Sequence, residues 1–107
     1  MSKAATRTHN NHRVETYIST LRAHLPEIRK RYGVRSLGIF GSVVRGEQRK
    51  RSDLDVLVEF DHAPTLFGFI DLRDYLNDLL GVKVDLVMKS ALKPAIGSYI
   101  LAEVVPV

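Results

Sequence analysis

The apolar positions of the chain change period several times, and each change predicts an element. Val14, Tyr17, Ile18, Leu21, Leu25 and Ile28 recur at steps of three and four residues, which predicts a helix with one apolar stripe. Pro26 falls inside that pattern. Proline removes a backbone donor and crowds the preceding turn, so a kink or a restart is expected there. Gly33 is the natural stop. Leu37–Phe40 (LGIF) is a short apolar run bounded by glycine and predicts a buried strand. Gly41-Ser42, a short stretch to Gly46 and a charged loop from Glu47 to Arg51 follow.

The second half of the chain repeats the alternation. Leu54–Phe60 (LDVLVEF) is the clearest strand, rich in β-branched residues and alternating. Thr65 is placed to cap a helix whose apolar positions are Leu66, Phe69, Ile70, Leu72, Leu76 and Leu79, and Gly81 ends it. Val82–Met88 predicts a third strand and Ser90–Pro94 a turn. Leu92, Ile96, Tyr99 and Ile100 mark a last helix. Val104–Val107 reads as a short terminal strand that Pro106 confines to an edge. Strands alternating with helices argue an α/β layer structure around a small sheet.

Length and composition narrow the class. The chain has 107 residues, enough for one domain and one core. Residues 1–12 (MSKAATRTHNNH) have no apolar period and read as a flexible tail, in which His9 and His12 are idle rather than metal ligands. Residues 13–107 read as the single domain. There is no cysteine, which excludes a disulfide framework, thiolate metal sites and a cysteine nucleophile. No apolar run approaches the roughly 20 residues of a membrane span, and the polar N-terminus lacks a secretory signal. A cytoplasmic protein is expected.

Charge is segregated. Residues 1–51 hold twelve Lys/Arg and three Asp/Glu, for +9; residues 52–107 hold four and nine, for −5. The basic half fits a solvated helix face plus a loop as well as an anionic partner. The acidic half is suited to hold cations.

The informative stretch is Gly41 to Val58, GSVVRGEQRKRSDLDVLV. Asp53 and Asp55 stand two apart, so on a strand their carboxylates share a face. Adjacent anions either face water or hold a cation between them. Mg²⁺ takes hard oxygen ligands and typically binds through one or two carboxylates plus substrate phosphate. Asp85 lies in the apolar run VKVDLVM. If the third strand neighbours the second, Asp85 reaches the same face and three carboxylates make a site for two Mg²⁺. The alternative places Asp85 on the wet face of its strand and Asp53 in solvent.

Gly41-Ser42 directly follows the first strand. Glycine permits a sharp turn and close approach of a phosphate, and successive backbone N–H groups make an anion-binding nest. The same dipeptide also serves as a plain turn. No Gly-Lys-Ser/Thr follows, so this is not a Walker A loop. Arg45 can bind phosphate or pair with an aspartate. Arg49, Lys50 and Arg51 read as a solvated loop.

Taken together, Gly41-Ser42-x-x-Arg45-Gly46, Ser52-Asp53-x-Asp55 and the later strand aspartate Asp85 resemble the polymerase-β-type nucleotidyltransferase superfamily. The small size resembles its minimal nucleotidyltransferases, many of them antitoxins beside a HEPN-domain toxin. The similarity runs from about Tyr32 to Val107. It implies an α/β (α+β) fold, a small mixed β-sheet with flanking helices. It further implies that Gly41 and Ser42 hold the terminal phosphates of ATP, and Arg45 is a further nucleotide-binding candidate from its own chemistry. Asp53, Asp55 and Asp85 would ligate two Mg²⁺, Asp85 would help deprotonate the incoming hydroxyl, and Ser52 would orient the turn before Asp53.

The activity implied is Mg-dependent transfer of AMP to a hydroxyl, with a tyrosine of a partner HEPN toxin as acceptor and a hetero-oligomer with that toxin as the assembly. A non-catalytic antitoxin acting by complex formation is the rival reading. Adenylylation of a small molecule or an RNA end is opposed by the lack of an acceptor domain. Direct nucleic-acid binding by the basic half is weaker still.

Overall fold

A computed structural model describes residues 9–47 and 53–107. Its elements are α1 (His9–Tyr32), β1 (Val34–Phe40), α2 (Ser42–Arg45), β2 (Leu54–Phe60), α3 (Leu66–Leu80), β3 (Val84–Met88), a 3₁₀ turn (Lys89–Ala91), α4 (Pro94–Glu103) and β4 (Val105–Pro106). Of the stretch expected as a tail over 1–12, residues 9–12 belong to α1, which begins at His9. Residues 1–8, and Arg49, Lys50, Arg51 and Ser52 of the charged loop, lie outside the described residues.

Pro26 does not break α1, which runs through it as one helix of 24 residues. Leu21 and Ile28, on either side, are completely buried, and their packing outweighs one lost backbone bond and a local clash. α3 begins and ends where the sequence predicts. Thr65 Oγ1 accepts the Gly68 N–H at 3.0 Å, and Gly81 closes the helix in the left-handed region with its N–H on the Asn77 carbonyl. β3 starts two residues later than expected, since Val82 and Lys83 complete the turn after Gly81. α4 starts at Pro94, a favoured first position.

The sheet is mixed, in the order β3-β2-β1-β4. β1 pairs antiparallel with β2 and with β4, and β2 pairs parallel with β3. Pro106 sits on the edge strand β4, where its missing donor does least harm. Alternation gives the sheet two different faces. Leu37, Ile39, Leu54, Val56, Val58, Val84 and Leu86 turn toward one core with Val14, Ile18, Leu21 and Ile28 of α1, Val43 of α2, and Leu72 and Leu76 of α3. Asp55, Leu57 and Glu59 of β2 and Asp85 and Val87 of β3 occupy the alternate positions. No polar or charged residue is buried among the described residues, and none of their helices is long and apolar enough to cross a membrane.

Candidate active site

Strand direction gathers the chemistry at one end of the sheet. Because β1 and β2 are antiparallel, the last residue of β1 lies beside the start of β2, with Phe40 opposite Asp55. Because β2 and β3 are parallel, their starts also coincide, and Asp55 stands opposite Asp85. Gly41 and Ser42 leave Phe40 directly into α2. Asp53 precedes β2 by one residue. The edge reached by three chain segments thus carries Asp53, Asp55, Asp85 and the Gly41-Ser42 turn.

The carboxylates interact. Burial pushes the Asp55 carboxyl up to about 6 from an ordinary 3.8. The charge of Asp85, a side-chain hydrogen bond with Asp85 and the charge of Asp53 add to that rise, and nearby Arg45 opposes it. Asp55 and Asp53 are half-buried, whereas Asp85 is exposed. The structure therefore places Asp85 on the same side of the sheet as Asp55.

Gly41 completes the contact. Its φ of 83° and ψ of −155° belong to a region open essentially to glycine. A Cβ at this position would collide with Asp55 Oδ2 and come within 2.9 Å of Asp55 Cγ. Close approach between the turn and the strand acid thus requires a residue without a side chain. Ser42 follows, half-buried, as the first residue of α2.

Arg45 ends α2 and is held on two sides. Its Nε donates to Glu47 Oε1 at 2.9 Å, and its Nη1 donates to Glu103 Oε1 at 2.9 Å and Oε2 at 3.0 Å. The two carboxylates raise its pKa further above the ordinary guanidinium value. Glu103 Oε2 also accepts the Gly41 N–H at 2.8 Å. Sequence reasoning missed Glu103. It is the only acidic residue after Asp85, and it ends a helix, where a negative charge opposes the macrodipole; those two features were the available signal.

A cleft of about 500 Å³ opens beside Asp53 and Asp85, lined also by Phe69, Arg73, Asn77 and Lys83. A cleft of similar size, about 490 Å³, lies at the other end of β2 and β3, among residues such as Phe60, Pro64 and Met88. Its charged lining residues, Glu59 and Lys89, face each other as an ion pair at 3.8 Å. Size does not distinguish the two; Asp53 and Asp85 line the first, whereas Asp55, Gly41 and Ser42 stand outside its lining.

The donor set suits Mg²⁺. Asp55 and Asp85 crowd two carboxylates into hydrogen-bond contact, an arrangement that a hard divalent cation relieves. Among the described residues no three His, Cys, Asp or Glu side chains are gathered closely enough to hold a metal ion by themselves. Mg²⁺ tolerates this, because it keeps waters and takes phosphate oxygens as further ligands.

Comparison with known proteins identifies the family. The profile of the nucleotidyltransferase domain family matches residues 21–106. A protein adenylyltransferase, MntA, of Thermococcus cleftensis is 53% identical over 92 residues, which is 86% of this chain and 93% of that protein. A solved structure described as a candidate minimal nucleotidyltransferase superposes with a TM-score of 0.74 at 39% identity, covering 88% of this chain and 95% of its own. The fold is also shared, at a TM-score of 0.57 and 18% identity, by a structure of a tri-AMPylated Shewanella oneidensis HEPN toxin in complex with an MNT antitoxin, covering 91% of this chain and 70% of that one.

Proposed function

Since the chain belongs to the nucleotidyltransferase domain family, we propose that it transfers AMP from ATP to a tyrosine hydroxyl of a HEPN-domain toxin and silences that toxin. The observation that carries this reading is the juxtaposition of Asp55 with Asp85 and with the side-chain-free surface of Gly41. Likeness to a protein adenylyltransferase and to the partner of an AMPylated toxin supports the choice of acceptor.

In this reading Gly41, Ser42 and Arg45 hold the phosphates of ATP. Asp53, Asp55 and Asp85 would hold two Mg²⁺, which would supply charge neutralisation at the phosphates and a lowered pKa at the acceptor hydroxyl. The acceptor oxygen bonds to the α-phosphorus, the bond from that phosphorus to the α–β bridging oxygen breaks, and pyrophosphate leaves. Asp85, the exposed member of the trio, faces the incoming acceptor and takes up its proton. The chain's own contribution is to align these groups and concentrate charge.

The test is incubation with α-labelled ATP, Mg²⁺ and a purified HEPN-domain toxin. Label on a toxin tyrosine is expected from the native chain and none from Asp53→Asn, which leaves the fold intact. A tight complex without label refutes the transferase reading in favour of neutralisation by binding. Full activity of Asp53→Asn under saturating Mg²⁺ refutes the metal assignment.

A further inference from the structure

We propose that Glu103 is a positioning residue for the nucleotide: one carboxylate from the last helix grips both ends of α2 and so fixes the Gly41-Ser42 turn and the Arg45 guanidinium relative to each other. This rests on the reading of that turn as the phosphate site.

Three observations converge on it. First, the contact is bifunctional. Glu103 Oε2 accepts the backbone N–H of Gly41, the residue before α2, and both Glu103 oxygens accept from Nη1 of Arg45, the last residue of α2. Second, the position of Glu103 is set by the sheet rather than by a loose chain end. β4 pairs Val105 with Ile39 and Pro106 with Gly38. Glu103 precedes β4 by two residues and Gly41 directly follows β1, so this pairing brings the two chain segments together. The pairing is close, for a Cβ at Gly38 would collide with Val104 Cγ2. Third, the carboxylate stands at a helix C-terminus, where it gains nothing locally; its partners stand at the two ends of α2, and one of them, Gly41, lies against Asp55.

The consequences are specific. Gly41 holds a conformation with positive φ, one of several that a residue without a side chain adopts freely, and the Glu103 bond selects it at the backbone nitrogen itself. Arg45 has Nε on Glu47 and Nη1 on Glu103, so its orientation is fixed. Glu103 need not touch the nucleotide to act; it sets where Gly41 and Arg45 meet it.

The test compares Glu103→Ala, Glu103→Gln and Glu103→Asp by calorimetric titration with Mg·AMPPNP and by amide exchange at Gly41. Glu103→Ala is expected to weaken binding roughly tenfold, the scale of a lost charge-assisted hydrogen bond, and to speed exchange of the Gly41 amide. Glu103→Gln keeps an oxygen for that amide and is expected to recover slow exchange and most of the affinity. Glu103→Asp, one methylene shorter, cannot span both partners, so it falls between and keeps the prediction readable if the alanine variant fails to fold. Combining Glu103→Ala with Arg45→Ala is expected to cost less than the sum of the two single changes, because one of the two Glu103 contacts is shared between them. Native affinity and native Gly41 exchange in Glu103→Ala or Glu103→Asp overturn the assignment, as does strict additivity with Arg45→Ala. A native chain that does not bind Mg·AMPPNP at all overturns the phosphate-site reading beneath it, a result distinct from binding that ignores Glu103.

Discussion

Replacing Asp55 by asparagine should abolish transfer and yet stabilise the metal-free protein above neutral pH. The carboxyl sits at about 6 in the folded chain against an ordinary 3.8, through burial first and then Asp85 and Asp53. Between those two values the native state keeps a proton that the unfolded chain has released. The native state then binds more protons, so stability falls as pH rises through this window and the full cost is present above it. A gap of about two pH units corresponds to about 3 kcal/mol at 1.36 kcal/mol each. Asp55 is only half-buried, and solvent screening reduces this to roughly 1–2 kcal/mol. Asparagine keeps the shape and the ability to hydrogen-bond Asp85 without the charge. Urea unfolding in EDTA at pH 4, 5, 6 and 8 measures the difference, and groups that titrate alike in both proteins cancel. The two curves should lie close together at pH 4 and separate by pH 8, with the variant above. Added Mg²⁺ should stabilise the native chain at pH 8 more than the variant, because binding to the folded state alone raises its stability. A difference that does not change with pH, or a native chain more stable than the variant in EDTA at pH 8, refutes the claim that crowded carboxylates cost stability here.

Two further substitutions separate the loop's roles. Ser42→Ala should weaken ATP binding about three- to tenfold, the range of one modest hydrogen bond, while the melting temperature stays within a degree or two; unchanged affinity in a titration removes Ser42 from the site. Gly41→Ala forces a side chain into a positive-φ position and against Asp55, so thermal melting should show a loss above about 1 kcal/mol together with loss of ATP binding; an alanine variant that melts and binds like the native chain contradicts the close approach of loop and strand.

What the sequence makes legible is whatever depends on neighbours along the chain. The Thr65 cap, the Gly81 stop and the β2 alternation are local, and each is found where the pattern puts it. The start of β1 was hidden because Arg35 and Ser36 are polar. Their partners lie on the next strand and just past its end: Arg35 Nε is 3.0 Å from Asp61 Oδ1, and Ser36 Oγ donates to Glu59 Oε1 at 3.2 Å. A polar pair that satisfies itself across a sheet looks like a loop when only one member is read. Pro26 misleads in the opposite direction, since tertiary burial of Leu21 and Ile28 overrides its local penalty. Glu103 was invisible for the same reason as β1, with a sequence separation of 62 residues to Gly41.

The acids were legible because a strand this apolar has only two ways to carry a charge. Leu54, Val56 and Val58 are completely buried, and with Val84 and Leu86 on the neighbouring strand they supply the hydrophobic drive that holds β2 and β3 in register. That drive belongs to one face. Alternation then sends Asp55 and Asp85 to the other face whatever their mutual repulsion, because moving either strand by one residue would turn its whole apolar row out of the core. Two like charges are thus kept in contact by packing on the reverse side of the sheet. It follows that weakening the core should relax the site: a slipped or frayed β3 would let Asp85 move away from Asp55, and the Asp55 carboxyl would return toward its ordinary value. Fold stability and the geometry at the end of the sheet are in this way coupled through strand register.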